Sequence, residues 1–325
     1  MIERAMNIGA GTNRLSGTAC LPSETGCFPT VLMVHGSGPL DRDENMKGQR
    51  LDVFNTIAHG LAGAGVASLR YDKRGCGASA GDYYSAGHVD LVDDAVHWCD
   101  ALRQEVFCAG APLFVLGHSE GCLIAAQVSV RRPTLAGLVL LCPFVEGMES
   151  MLVRQAEQLE KEVDAVSGVG GALERIVAKF LARPVVSQRT LIAKVKASSA
   201  ETLHVRGQKI PAKWLRELLD IDPTEVFARI VCPMLLVGGE KDLQCRPVDV
   251  QRIASVARGV VDAHVVRNLT HVLRVDERQP TLRGSVDLLA KPMEFVVLEV
   301  IAEWLGRQCD ASPRAARTAT RGDAP

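Results

Sequence analysis

The chain has 325 residues, 47% of them hydrophobic and 23% charged, and its 37 Lys and Arg nearly balance 38 Asp and Glu. That length suits one large α/β domain carrying an insertion, and the charge balance gives no electrostatic reason to expect nucleic acid or an anionic membrane as partner. No window approaches eighteen consecutive apolar residues and no basic segment leads into an apolar one, so neither a membrane span nor a signal peptide is expected.

In chain order, the first thirty residues alternate in polarity and carry Gly and Pro, which predicts an antiparallel edge hairpin. "TVLMVHG" (30–36) reads as a buried strand and "FNTIAHGLAGAG" (54–65) as a helix closed by glycines. "VASLRYD" (66–72) is the next strand, and "HVDLVDDAVHWCDALR" (88–103) has helical spacing with Asp in its first turn. "PLFVLG" (112–117), "GCLIAAQVSVRR" and "LAGLVLLCP" (135–143) form a strand–helix–strand unit. The interval 144–230 breaks this rhythm: it is charged, helix-rich and poor in strand signals, and reads as a helical insertion. "CPMLLVGGE" (232–240), a helix near 247–257, "DAHVVRNLTH" (262–271) and the helix "PMEFVVLEVIAEWLG" (292–306) resume the alternation. Continuous apolar strands separated by helices predict an α/β fold, a mostly parallel sheet covered on both faces. The tail from 310 to 325 has no apolar periodicity and is expected to be disordered.

The chemistry concentrates where "LFVLGHSEGCLIAA" turns from strand to helix. Gly117-x-Ser119-x-Gly121 in that context predicts a strained turn whose glycines let strand and helix approach while the Ser119 hydroxyl stands clear. A serine hydroxyl needs a base and an orienting acid, in the chain order Ser, Asp or Glu, His, on loops at strand carboxyl ends. Asp242 follows "MLLVGGEK" directly, and His271 follows the strand after it, so Ser119, Asp242 and His271 are the expected triad. His264 lies within a strand and is read as packing, His204 falls in the insertion, and Asp249 belongs to the following helix. The oxyanion of a tetrahedral intermediate would take two backbone N–H groups, from Glu120 after the nucleophile and from Ser37 in "HGSGPLDRD". Asp41, Arg42 and Asp43, and likewise Asp72, Lys73 and Arg74, are read as loop-fixing salt bridges. Glycines near residue 75 resemble a phosphate loop, but GxxxxGK[ST] is absent. The ten cysteines form no CxxC pair and are read as reduced packing thiols of a cytoplasmic protein, Cys122 among them.

With these residues the chain resembles the α/β-hydrolase superfamily, and more narrowly bacterial carboxylesterase-like hydrolases grouped with serine aminopeptidases and dipeptidyl peptidases. The matching segments include "FPTVLMVHGSGPLDRDE", "LRYDKRGCGAS", "LGHSEGCLIAA", "IVCPMLLVGGEKDLQC" and "LTHVLR", spread over residues 15 to about 306. Cys122 stands where such relatives carry a glycine after "GHSEG". The resemblance implies an eight-stranded sheet, the triad Ser119–Asp242–His271, a core of residues 1–143 and 231–309, and a helical cap at 144–230. The expected activity is hydrolysis of small carboxylic esters, with neither metal nor organic cofactor. The expected partner is a small-molecule ester rather than nucleic acid or membrane, and a homodimer is compatible with the sequence. An aminopeptidase would need carboxylates to hold a free amine, and the insertion offers Glu146, Glu149, Glu157, Glu160 and Glu162, at a spacing more typical of a solvated helix face. Acyl transfer or thioester cleavage on the same fold, and a catalytically dead binding protein, are the other readings.

Overall fold

The computed structural model describes residues 1–165, 183–283 and 286–311. The strands are β1 (Ile2–Ile8), β2 (Leu15–Leu21), β3 (Thr30–Val34), β4 (Ala67–Tyr71), β5 (Leu113–His118), β6 (Gly137–Leu141), β7 (Thr202–Val205), β8 (Gln208–Pro211), β9 (Met234–Gly239) and β10 (Val261–Val266). The helices are α1 (Val53–Gly63), α2 (His88–Gln104), α3 (Glu120–Arg131), α4 (Met148–Ala165), α5 (Pro184–Lys196), α6 (Ala212–Leu219), α7 (Pro223–Phe227), α8 (Val248–Val256), α9 (Val286–Leu289) and α10 (Phe295–Asp310). Eight strands form one sheet in the order β1-β2-β4-β3-β5-β6-β9-β10. β2 pairs antiparallel with β1 and β4, and the remaining neighbours pair parallel. The expected N-terminal hairpin is therefore an edge of this sheet, in register from Ile2 opposite Leu21 to Ile8 opposite Leu15.

The central strands are apolar on both sides because both sides are covered. Leu32 and Val34 of β3 and Val115 of β5 join a cluster with Trp98 of α2, Ile124 of α3 and Ile253 of α8. Their neighbours Val31, Met33, Phe114 and Leu116 join the opposite cluster with Phe54 of α1 and Ile301 and Trp304 of α10. Successive strand residues point to opposite faces, so a continuous apolar run is what a doubly covered strand requires. Burying side chains of this size stabilises the fold by about 1.5–3 kcal/mol each.

Between β6 and β9 lie α4, α5, α6 and α7, and also a two-stranded hairpin, β7–β8, which the sequence did not signal. Its strands are four residues long and none of their residues is fully buried, so they carry no apolar run to betray them. A packing role for His264 is corrected: on edge strand β10 it is half-buried, with Nε2 2.8 Å from Asp262 Oδ1. Residues 166–182 of the expected insertion and nearly all of the expected disordered tail lie outside the described residues. Among the described residues no helix is long and apolar enough to cross a membrane.

Candidate active site

Four loops at the carboxyl ends of neighbouring parallel strands converge: 35–44 after β3, Ser119 after β5, Asp242 after β9 and His271 after β10. This is the edge where an open α/β sheet binds ligands. Ser119 sits between β5 and α3 at φ 55°, ψ −119°, a conformation that few non-glycine residues adopt. Its flanking glycines are sterically required. A Cβ on Gly117 would lie 2.3 Å from the Gly121 carbonyl oxygen, and one on Gly121 would lie 1.9 Å from that of Val34. The Ser119 N–H donates to Leu141 O at 2.9 Å, and Ser119 O accepts from Cys122 N–H at 2.9 Å, which pins the turn to β6 and α3.

Ser119 Oγ lies 3.1 Å from His271 Nε2, and His271 Nδ1 lies 2.8 Å from Asp242 Oδ2. The Asp242 side chain is fully buried and its Oδ1 accepts from the N–H groups of Gln244 and Cys245 at 2.8 and 2.9 Å. Burial alone would raise its carboxyl, but the His271 ring and the Cys245 N–H hold it below the ordinary carboxylate value. With Asp242 ionised, Nδ1 carries the proton and Nε2 is left to accept from the Ser119 hydroxyl. His271 is fixed in its own turn: Thr270 N–H and Oγ1 both bond Arg274 O, and Leu273 N–H returns to Thr270 O.

Ser37 and Glu120 both line the cavity beside Ser119, and among the described residues neither backbone N–H has a hydrogen-bond partner. The Gly36 N–H is consumed by Glu44 Oε1 at 2.9 Å, and Gly36 O accepts from Lys73 Nζ. The Glu120 carboxylate turns into the protein: Oε1 accepts from Trp214 Nε1 of α6 at 2.6 Å and lies 3.0 Å from His88 Nδ1, while Oε2 is 3.8 Å from Lys73 Nζ. Burial opposes its charge, yet Lys73, His88 and Trp214 together bring its pKa down to about 2. Arg42 pairs with Asp72, Arg70 with Asp43 and Arg74 with Asp94, so these charges brace the surrounding loops. None of Asp41, Arg42 and Asp43 lines the cavity.

The cavity over Ser119 measures about 580 Å³. Phe144 and the α4 residues Met148, Met151 and Leu152 form an apolar wall, with Leu40, Leu51 and Leu288 around it. Among the five insertion glutamates none lines it. Glu146 pairs with Arg154 and Glu149 with Lys196, Glu160 accepts from the Val185 N–H, Glu162 holds residues 281–283, and Glu157 is exposed. The Cys122 thiol is buried against Gly117 O and Leu141 O. Sequence reasoning did not single out Glu44, His118, His88 or Trp214. Their partners are distant in sequence, and no spacing encodes them.

The family described as serine aminopeptidase, S33, matches residues 47–278. Esterase EstD of Thermotoga maritima is 25% identical over 296 residues, 90% of this chain and 66% of EstD. The monoglyceride lipase of Mus musculus is 30% identical over 100 residues, 30% of this chain and 32% of the lipase. The matched region thus spans about two thirds of the first relative's length and about one third of the second's. Among solved structures, Est1E of Butyrivibrio proteoclasticus with ferulic acid bound shares the fold at a TM-score of 0.61 and 16% identity, over 93% of this chain and 98% of that one.

Proposed function

The chain belongs to the serine aminopeptidase (S33) family of α/β-hydrolases, and from that premise we propose that it is a serine hydrolase of small carboxylic esters. The observation that carries the reading is the line Ser119 Oγ–His271 Nε2–Asp242 at hydrogen-bond distances, on the floor of an apolar cavity and beside two unpaired N–H groups. Ser119 Oγ attacks the ester carbonyl carbon and its proton passes to His271 Nε2. The oxygen that gains charge accepts from the N–H groups of Ser37 and Glu120, while Asp242 stabilises the imidazolium. The C–O bond to the alcohol breaks, and His271 returns the proton to the departing alkoxide. Water then attacks the acyl-enzyme and gives its proton to His271, the acyl C–O bond to Ser119 breaks to release the acid, and His271 returns that proton to Ser119 Oγ.

Residues 144–230 act as a cap whose α4 wall sets acyl length, over a core of residues 1–143 and 231–309. The ten unpaired cysteines support a reducing, cytoplasmic setting. The family description favours one other reading, cleavage of an N-terminal residue from a peptide. A free amine would need an uncommitted carboxylate at the cavity. Its acids Glu44, Glu120 and Asp276 are each bound to protein cations or N–H groups, which supports the ester reading. An amide also needs its nitrogen protonated as it leaves, which demands closer placement than an ester does. The test compares kcat/KM for p-nitrophenyl acetate and butyrate with aminoacyl anilides at one pH. Esters are expected to win clearly, and an anilide preferred over every ester would transfer the protein to the aminopeptidase reading.

A further inference from the structure

We propose that Glu44 and His118 are positioning residues that tie the oxyanion loop to the catalytic histidine through one buried hydrogen-bond chain, an inference that rests on the esterase reading. The chain begins at the Gly36 N–H, which donates to Glu44 Oε1 at 2.9 Å. His118 Nδ1 lies 3.0 Å from the same oxygen and 2.9 Å from Oε2, and His118 Nε2 donates to the backbone carbonyl of His271 at 2.9 Å. Both ring nitrogens of His118 therefore face acceptors only, and a ring with two acceptors must carry two protons. The charge states agree. Burial would discharge His118, yet Glu44 raises its pKa; burial would protonate Glu44, yet His118 lowers its pKa. The His118 ring also packs on the His271 ring with centroids 5.1 Å apart.

The position of each end matters more than the bond count. Gly36 immediately precedes Ser37, so the Glu44 carboxylate fixes the peptide whose neighbour offers the oxyanion N–H. His271 lies in a turn rather than a regular element, whereas His118 closes β5 and is paired in register with Leu141. The rigid strand thus holds the loop-borne base. Glu44 reaches inward because its loop is wound tightly: it sits at φ 63°, its N–H bonds Asp41 O, and Asp41 Oδ1 accepts from Asp43 and Asn45 N–H. A non-glycine residue held at positive φ persists only where its surroundings over-determine it.

The test uses the full chain with His118→Leu, His118→Gln and Glu44→Gln, read by melting temperature, by kcat and KM for p-nitrophenyl butyrate, and by the downfield proton resonance of His271 Nδ1. His118→Leu is expected to lower kcat about 100-fold, as a misplaced catalytic group does, with KM changed by less than about threefold. His118→Gln can still donate an N–H to the His271 carbonyl, so it should recover most of that loss and return the shifted resonance toward its wild-type position. Glu44→Gln keeps an acceptor for Gly36 but loses the charge partner of His118, and it should lower kcat while sparing KM. If His118→Leu does not fold, the other two variants carry the comparison. Folded variants whose kcat stays within about threefold of wild type, or a glutamine no better than leucine in both kcat and resonance, would overturn the proposal. A wild-type protein inert toward esters would instead contradict the esterase reading, and the resonance would still report whether His118 positions His271.

Discussion

Ser119 pays for its exposure with a backbone conformation that costs about 1–3 kcal/mol, and the contacts of Gly117 and Gly121 show why no larger residue could stand two positions to either side of it. In the proposed triad the hydroxyl is made reactive through Asp242, whose buried charge is stabilised by His271 and two N–H groups. Asp242→Asn should therefore keep ester affinity but lower kcat by about 10³-fold or more, because the imidazole loses the partner that fixes its tautomer. Steady-state kinetics on a folded variant checks this, and an unchanged kcat would mean that another acid serves His271. Glu120 gives a stability prediction with a defined sign. Its folded pKa is depressed to about 2 from 4.5, so its contribution is fully present above pH 4.5 and is lost as pH falls toward 2. Urea unfolding of Glu120→Gln should show a deficit against wild type at pH 6 that shrinks steadily below pH 4.5. A deficit that stays constant down to pH 3 would contradict the assignment of charge to this buried group.

Helix α4 supplies the apolar wall of the cavity over Ser119, and under the proposed function it is the element that makes the site selective. Arg154 anchors it to the loop carrying Asp242, donating to Leu243 O at 2.8 Å and Gln244 O at 2.9 Å. Glu162 ties its other end to the segment over the cavity, accepting from Thr281 Oγ1 and the Leu282 N–H. Met148, Met151 and Leu152 then face the cavity as its apolar wall. Leu152→Trp should fill part of that space and move the optimum of a p-nitrophenyl ester series toward shorter acyl chains, with acetate hydrolysis little affected. An unchanged chain-length profile would show that the acyl group lies elsewhere. The sequence announced α4 as a charged helix in an insertion, yet it could not tell which glutamates were bound. Glu146 and Glu162 look alike in sequence, and only the fold shows one against Arg154 and the other against residues 281–283.

For the whole molecule, the readable features were those with a local physical signature. Strands buried on both faces carry continuous apolar runs, the strand-to-helix turn requires its two glycines, and the order of Ser119, Asp242 and His271 follows the order of the strands that deliver them. Features built from distant pairs left no such trace. Glu44 meets His118 across 74 positions and Trp214 meets Glu120 across 94, and the β7–β8 hairpin has no buried face to give it a pattern. The account as a whole stands on Ser119 being the nucleophile, and the most direct measurement is intact-mass and peptide analysis after reaction with a fluorophosphonate. Wild type should take up one equivalent on the peptide containing Ser119 and lose ester hydrolysis in proportion. Ser119→Ala should take up none and hydrolyse esters at least about 10³-fold more slowly while remaining folded. A label on any other residue, or a folded Ser119→Ala protein that still turns over esters at the wild-type rate, would contradict the account.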